Sequence, residues 1–340
     1  MGRVNVEAEP GPVVVVTHTD LDGVASAAIY HRVAGLVPGV ETRLVMTEPY
    51  RLHRVLRSIG DAGRVAIMDL GPNASTFDEI LDVLASMARR GVMIEWYDHH
   101  RWEERWVASL REAGVKVFID TGTCAAGVVA RFASKLYDVE VDDTTGKLVK
   151  ATCAADLWRW DDPLAPRLYR VIDRYKGARG DEWKRKLVKG FFEGALWWPD
   201  LDEALDEYLR LEFRGFEKAL RNTIVEDFNG CRAAFSLKDP GPPNASILGN
   251  ALIDRLGADF VVIVRRRGRG MSLRSRDVNV REIAYRLGGG GHPRAAGAPL
   301  QLPLLYRLAS LIYPKARLLY ARQVVGKALE ELGSCPRLSE

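Results

Sequence analysis

Short apolar runs recur through the first half of the chain, and each of them ends in acidic or imidazole side chains. Val13-Val14-Val15-Val16 leads into Thr17-His18-Thr19-Asp20-Leu21-Asp22-Gly23, Arg64 to Met68 leads into Asp69-Leu70-Gly71, Gly91 to Tyr97 leads into Asp98-His99-His100, and Val117-Phe118-Ile119 leads into Asp120. Apolar runs of this length predict the strands of an open parallel sheet. Between them, Val24–Tyr30, Phe77–Arg90 and Ala125–Tyr137 carry apolar residues at helical spacing. The alternation predicts an α/β fold, with a doubly wound parallel-sheet domain over residues 1–175. Such a sheet gathers polar groups at the C-terminal ends of its strands, which is where a site is expected. Thr121-Gly122-Thr123-Cys124 offers hydroxyls and a capping position to the helix that follows.

Residues 176–228 turn helical and charge-rich, as in Asp202 to Arg210, and predict a helical linker. A smaller C-terminal α/β domain is expected over 229–340. There Asp239-Pro240-Gly241-Pro242-Pro243-Asn244 reads as a loop, and two strands, Ala258–Val264 and Met271–Arg274, flank an arginine-rich turn. Gly288 to Gly291 then lead into His292-Pro293-Arg294 and an apolar helical tail.

Composition narrows the class without naming a chemistry. A chain of 340 residues, 47% hydrophobic and 28% charged, is that of an ordinary globular protein of two domains. No apolar stretch reaches the ~18 residues that span a bilayer, and Met1 to Glu7 lacks the apolar core of a secretory signal. A cytoplasmic location with no membrane partner is the expectation. The cysteines Cys124, Cys153, Cys231 and Cys335 are scattered without CxxC spacing, so neither a zinc site nor a disulfide framework is expected. A net charge of +4 is too small to imply a broad nucleic-acid footprint, although Arg265-Arg266-Arg267-Gly268-Arg269 concentrates charge locally. Arginine outnumbers lysine and amide side chains are sparse, a bias shared by thermophiles and GC-rich genomes.

The strand-end residues carry the chemistry. On an extended segment a spacing of two would put His18, Asp20 and Asp22 on one side, and such a group repels itself unless a cation neutralises it. The plainer reading is a polar turn in which Asp22-Gly23 makes the bend. Asp69 alone is a strand-end cap, adjacent histidines on a loop can simply be exposed, and Asp156 alone reads as a surface carboxylate with Asp120 as its rival. The ordered combination is far more specific than any part.

That set (H-T-D-L-D-G, D-L-G, D-H-H and the later Asp156) resembles the DHH phosphoesterase superfamily, which includes RecJ-type exonucleases, nanoRNases, cyclic-dinucleotide phosphodiesterases and family II pyrophosphatases. Met271-Ser272-Leu273-Arg274-Ser275 followed by Gly288 to Gly297 resembles the associated DHHA1 domain. The resemblance implies an active site in a cleft between the domains and two divalent ions. His18 and Asp20 would hold one, Asp22, His99 and Asp156 the other, and Asp69 would bridge. Carboxylate and imidazole donors without thiolate suit Mn²⁺, with Mg²⁺ or Co²⁺ as lesser candidates. Asp98 is expected to orient a histidine or the loop, and His100 to contact the phosphate or protonate the leaving oxygen.

In the C-terminal domain, Gly289, Gly290 and Gly291 would let backbone amides approach an anion, with His292, Arg294 and Arg274 adding charge. A bare flexible turn is the plainer reading of the glycines. Trp96, Trp102, Trp106, Trp158 and Trp160 flank the metal motifs and are expected mostly to pack, one or two of them stacking on bases. The implied activity is manganese-dependent hydrolysis of short or single-stranded oligonucleotides, RNA or DNA, to nucleoside monophosphates. The alternatives are a small-nucleotide phosphoesterase acting on 3′-phosphoadenosine 5′-phosphate or a cyclic dinucleotide, and a replication or repair subunit of the same fold. A homodimer and a replication or repair partner are compatible with the family, and the residues specify neither.

Overall fold

The computed structural model describes residues 11–338, so the reading of Met1 to Glu7 lies outside the described residues. The chain divides into two compact units, residues 1–205 and 206–340.

In the first unit, strands β1 (Val13–Thr17), β2 (Thr42–Met46), β3 (Arg64–Met68), β4 (Met93–Asp98) and β5 (Val115–Ile119) alternate with helices α1 (Leu21–Ala34), α2 (Leu52–Ser58), α3 (Phe77–Arg89) and α4 (Glu104–Glu112). Five further helices follow: α5 (Ala125–Tyr137), α6 (Asp143–Asp156), α7 (Ala165–Val171), α8 (Gly177–Phe192) and α9 (Pro199–Arg221). The sheet order is β2-β1-β3-β4-β5, with every pairing parallel. Alternate residues of each strand serve opposite cores. Val15, Ala66, Met68 and Tyr97 pack with α1, α5, α6, α7 and α8, while Val14, Val16, Val65, Ile67 and Trp96 pack with α2, α3 and α4. Two covered faces explain why these strands read as continuous apolar runs.

The one charge inside the β4 run is accounted for as well. Glu95 is fully buried and accepts from the hydroxyls of Tyr30 at 3.1 Å, Tyr97 at 2.8 Å and Tyr137 at 2.7 Å. Helix α8 does not behave as a connector, because Trp183, Leu187, Val188 and Phe191 join the core of the first unit. The division between the units falls inside α9, whereas 175 and 229 were the expected boundaries.

The second unit contains β6 (Thr223–Phe228), β7 (Cys231–Lys238), α10 (Ala245–Leu256), β8 (Phe260–Arg265), β9 (Gly270–Ser275), α11 (Val280–Arg286), β10 (Gly290–His292), β11 (Ala295–Pro299), α12 (Leu304–Ile312) and α13 (Ala316–Leu332). Its sheet runs β10-β11-β9-β8-β7-β6 and is mixed, with β7 and β8 parallel and the other pairs antiparallel. One face packs on α11 and α13, the other on α10. As expected, β8 and β9 flank the arginine-rich turn.

The expectation about cysteine is overturned. Cys124 is bonded to Cys153 and Cys231 to Cys335, leaving no thiol. The partners lie 29 and 104 residues apart, a separation at which pairing is set by the packing of elements and leaves no spacing signature. Among the described residues no helix is long and apolar enough to cross a membrane.

Candidate metal centre

The strand order places β1 beside both β2 and β3, so successive crossovers leave β1 in opposite directions. Open α/β sheets bind their ligands beyond the C-terminal strand ends at such a switch point. His18 and Asp20 follow β1, Asp69 follows β3, and His99 and His100 follow β4.

Asp20 is the N-cap of α1 and accepts from the Gly23 amide at 3.0 Å. The helix already begins at Leu21, so Asp22 sits in its first turn, and the extended-segment argument for aligning His18, Asp20 and Asp22 fails. Asp22 turns instead toward α5, whose first two amides, Ala125 and Ala126, donate to its carboxylate at 2.7 and 2.8 Å. The α5 terminus is therefore capped by a residue of α1. The hydroxyl-rich segment before α5 does not do it, since Cys124 is the N-cap residue and makes no side-chain capping bond. Gly23 is dictated by the same tight turn, because a Cβ there would stand 2.4 Å from the His18 carbonyl oxygen. Asp69 leaves β3 with φ of 56°, a left-handed conformation that aspartate tolerates better than most residues. Its amide donates to the Tyr97 carbonyl at 3.0 Å, tying the turn to β4.

Two sets of donors converge around Asp69. His18, Asp20 and Asp69 form one, and Asp22, His99 and Asp156 another, each with one donor atom per residue within 4.8 Å of the rest. Asp69 also groups with His99 and His100. One Asp69 oxygen lies 3.4 Å from His18 Nδ1 and the other 3.7 Å from His99 Nε2. His99 Nε2 stands 3.8 Å from Asp22 and 3.6 Å from Asp156, too far for hydrogen bonds and suited to sharing a central ion. The rival Asp120 is absent from these groups, being engaged by the Gly122 amide and Arg131.

The electrostatics describe a crowded anionic site. Burial, reinforced by the charge of Asp156 and Asp20, holds Asp22 well above the usual carboxylate range. Burial with Asp20 and Asp22 does the same to Asp69, and burial with Asp20 pushes Asp156 up to about 7. Burial alone would depress His18, but the charge of Asp20 and the nearness of Asp20, Asp69 and Glu48 hold it far above its ordinary value. A divalent cation removes this repulsion, and Asp69 Oδ2, buried without a hydrogen-bond partner, is an oxygen of the kind such an ion satisfies. The donor set fits.

Three contacts around the site were not anticipated. Glu48, just past β2, takes His18 Nε2 at 3.3 Å and the Thr19 hydroxyl at 2.7 Å. The strand-end logic applied to β2 would have found it. Trp102 Nε1 donates to the fully buried Asp98 at 2.6 Å, and Asp98 also holds His100 Nδ1 at 2.9 Å. Cys153, bonded to Cys124, lies on α6 three residues before Asp156. Of the other flanking tryptophans, Trp96 and Trp106 are buried. Trp158 and Trp160 both adopt positive φ just after α6, and their rings meet edge to face at 4.7 Å.

In the second unit, β10 and β11 pair as a hairpin with His292 opposite Ala295. His292 and Arg294 are exposed. Arg274 is partly buried, its guanidinium donating to Ser246 Oγ at 3.1 Å and the Leu273 carbonyl at 2.8 Å. The glycines have a packing reason. A Cβ on Gly289 would fall 2.1 Å from the Gly297 carbonyl oxygen, and one on Gly291 2.7 Å from that of Ala295, whereas Gly290 faces open space.

Residues 235–312 match the family model of the DHHA1 domain. Over 308 residues the chain is 24% identical to oligoribonuclease NrnB of Bacillus subtilis, covering 84% of this chain and 72% of NrnB. The second half of the chain thus matches a DHHA1 domain, and the chain as a whole is similar to NrnB. Solved structures of similar fold include RecJ of Thermus thermophilus in complex with Mn²⁺, with a TM-score of 0.61 and 16% identity over 92% of this chain and 52% of RecJ. Another is the pGpG-specific phosphodiesterase PggH of Vibrio cholerae, with a TM-score of 0.53 and 13% identity over 90% of this chain and 98% of PggH. The converging donors sit in the first unit, and the matched DHHA1 segment lies wholly in the second.

Proposed function

We propose that this protein is a metal-dependent phosphodiesterase that hydrolyses short or single-stranded oligonucleotides to nucleoside monophosphates with two divalent ions, preferentially Mn²⁺. The observation that carries the reading is Asp69, whose two carboxylate oxygens face His18 in one donor set and His99 in the other. His18 and Asp20 would hold one ion, Asp22, His99 and Asp156 the second, and Asp69 both. When bound, a pair of such ions supplies an activated water and neutralises the phosphate under attack. The likeness to NrnB supports an oligonucleotide substrate, and the Mn²⁺ complex of RecJ supports the metal.

The chain's own groups supply the rest. Burial opposes protonation of His100, but its bond to Asp98 and the charge of that carboxylate raise its basicity above the ordinary imidazole value. With Nδ1 on Asp98, Nε2 is the nitrogen left to hold a proton for the leaving oxygen. Asp98 orients His100 and is itself held by Trp102. Arg274, His292, Arg294 and the amides of Gly289, Gly290 and Gly291 would bind the nucleotide, with the exposed hairpin residues as the principal contacts.

A second reading, a dinucleotide substrate, is supported by the likeness to PggH, a pGpG-specific phosphodiesterase. Labelled RNA and DNA of two, five and twenty nucleotides, with cyclic dinucleotides alongside, separate these readings in the presence of Mn²⁺. Preferred cleavage of the shortest linear substrates is expected, and no turnover of any of them overturns the proposal. Asp69→Ala should lose both activity and metal, and full two-ion occupancy in that variant would remove the bridging role.

A further inference from the structure

The Cys124–Cys153 disulfide ties α6, which carries Asp156, to the start of α5, whose amides hold Asp22 of the same donor set. Cys124 is the residue immediately before α5, and the next two amides, those of Ala125 and Ala126, are the groups that hold Asp22. Cys153 lies one helical turn before Asp156, the last residue of α6, and side chains three apart share a helix face. Both cysteines are buried, with their Cα atoms 5.1 Å apart, inside the range a disulfide spans without backbone movement. Asp22 and Asp156 face the same nitrogen of His99, at 3.8 and 3.6 Å, with their own oxygens within 4.8 Å of each other. Asp22 is anchored by two amides, while Asp156 stands at a helix end next to a like charge. Left to electrostatics, the end of α6 would move away from Asp22.

We propose that the Cys124–Cys153 disulfide is a positioning device for the Asp22–His99–Asp156 site, setting the separation of its two carboxylates and hence its affinity for a divalent ion. The inference rests on the metal reading above. It assigns the bond a role that the Cys231–Cys335 bond does not share, since that pair joins β7 to the segment after α13 in the other unit and touches no element bearing a donor.

The test compares Mn²⁺ titrations by calorimetry of the full chain, the C124S/C153S variant and the C231S/C335S variant, with circular dichroism as the check on folding. The wild type should show two binding steps. The C124S/C153S variant should keep one and weaken the other by about 10–100-fold, the range seen when a partner that orients a ligand is lost. The C231S/C335S variant should lose thermal stability and keep the wild-type titration. Should C124S/C153S fail to fold, the C231S/C335S protein is titrated before and after reduction of its remaining disulfide by a trialkylphosphine. That reagent takes oxygen from water to become the phosphine oxide as the S–S bond gives two thiols. Selective weakening of one step on reduction supports the inference. Two unchanged steps in the bond-free protein overturn it and leave the metal reading intact, whereas a wild type that takes up no ion overturns both.

Discussion

His99 and His100 are neighbours with ring centres 4.5 Å apart, yet their surroundings divide their work. Burial and the neighbouring His100 depress the basicity of His99, whose Nε2 faces Asp22, Asp69 and Asp156. His100 is partnered by buried Asp98 and its basicity is raised. His99→Ala should therefore lose metal content first, and His100→Ala should keep its metal while turnover falls by ~10²–10⁴. Metal analysis beside initial rates decides it, and equal metal loss in both variants refutes the division. Glu48→Gln should weaken metal uptake at the His18 set by about 10–100-fold, because Glu48 fixes the ring that carries that donor. Direct titration reads the loss. The members of the cluster legible in the sequence are those that directly follow an apolar strand run: His18, Asp20, Asp69 and His99. Asp22 joins the cluster from a helix start and not from an extended segment. Glu48 was missed because it follows a weaker apolar run and bears on the site only through another residue's ring.

Among the elements, α1 carries a pH sensitivity separate from the site. His31 is fully buried in its last turn, with Nδ1 on the Ala27 carbonyl at 2.5 Å and Nε2 on the Thr42 hydroxyl at 2.7 Å. Burial depresses its basicity below the ordinary value of 6.5. The unfolded chain therefore binds a proton that the folded one refuses, so stability is full above about pH 6.5 and falls as the pH drops from there toward the folded value. His31→Gln should be less stable at neutral pH and lose less on acidification. Urea titrations of both proteins at pH 7.5 and 5.0 check it, and parallel losses would refute it.

The β10–β11 hairpin makes a different kind of prediction. His292→Ala or Arg294→Ala should cost ~1.5–3 kcal/mol of oligonucleotide binding, sparing metal occupancy and most hydrolysis of bis-p-nitrophenyl phosphate. Equal losses on both substrates would place the hairpin on the reacting phosphate. Helices and strands were readable wherever one periodicity held, as in α5, which begins and ends where its spacing said. The charge within β4 was legible only as an exception, since the three hydroxyls that satisfy Glu95 come from different elements.

At the scale of the molecule, the order of the motifs carried both halves of the fold, while boundaries and covalent links stayed hidden. Helix α8 is charge-rich yet buries Trp183, Leu187 and Phe191, so its composition suggested a connector and its amphipathic face made it core. Losing Cys231–Cys335 should cost ~2–5 kcal/mol in the second unit, read as a lower urea midpoint. That bond joins the start of β7 to residues beyond α13, so everything from β7 through α13 is a closed covalent ring. A protease that cuts after arginine in the exposed turn at Arg265 to Arg269 would open the ring without releasing a piece. The nicked chain should migrate as one species unreduced and as two fragments once thiols are restored, its continuity then held by sulfur where the backbone is broken.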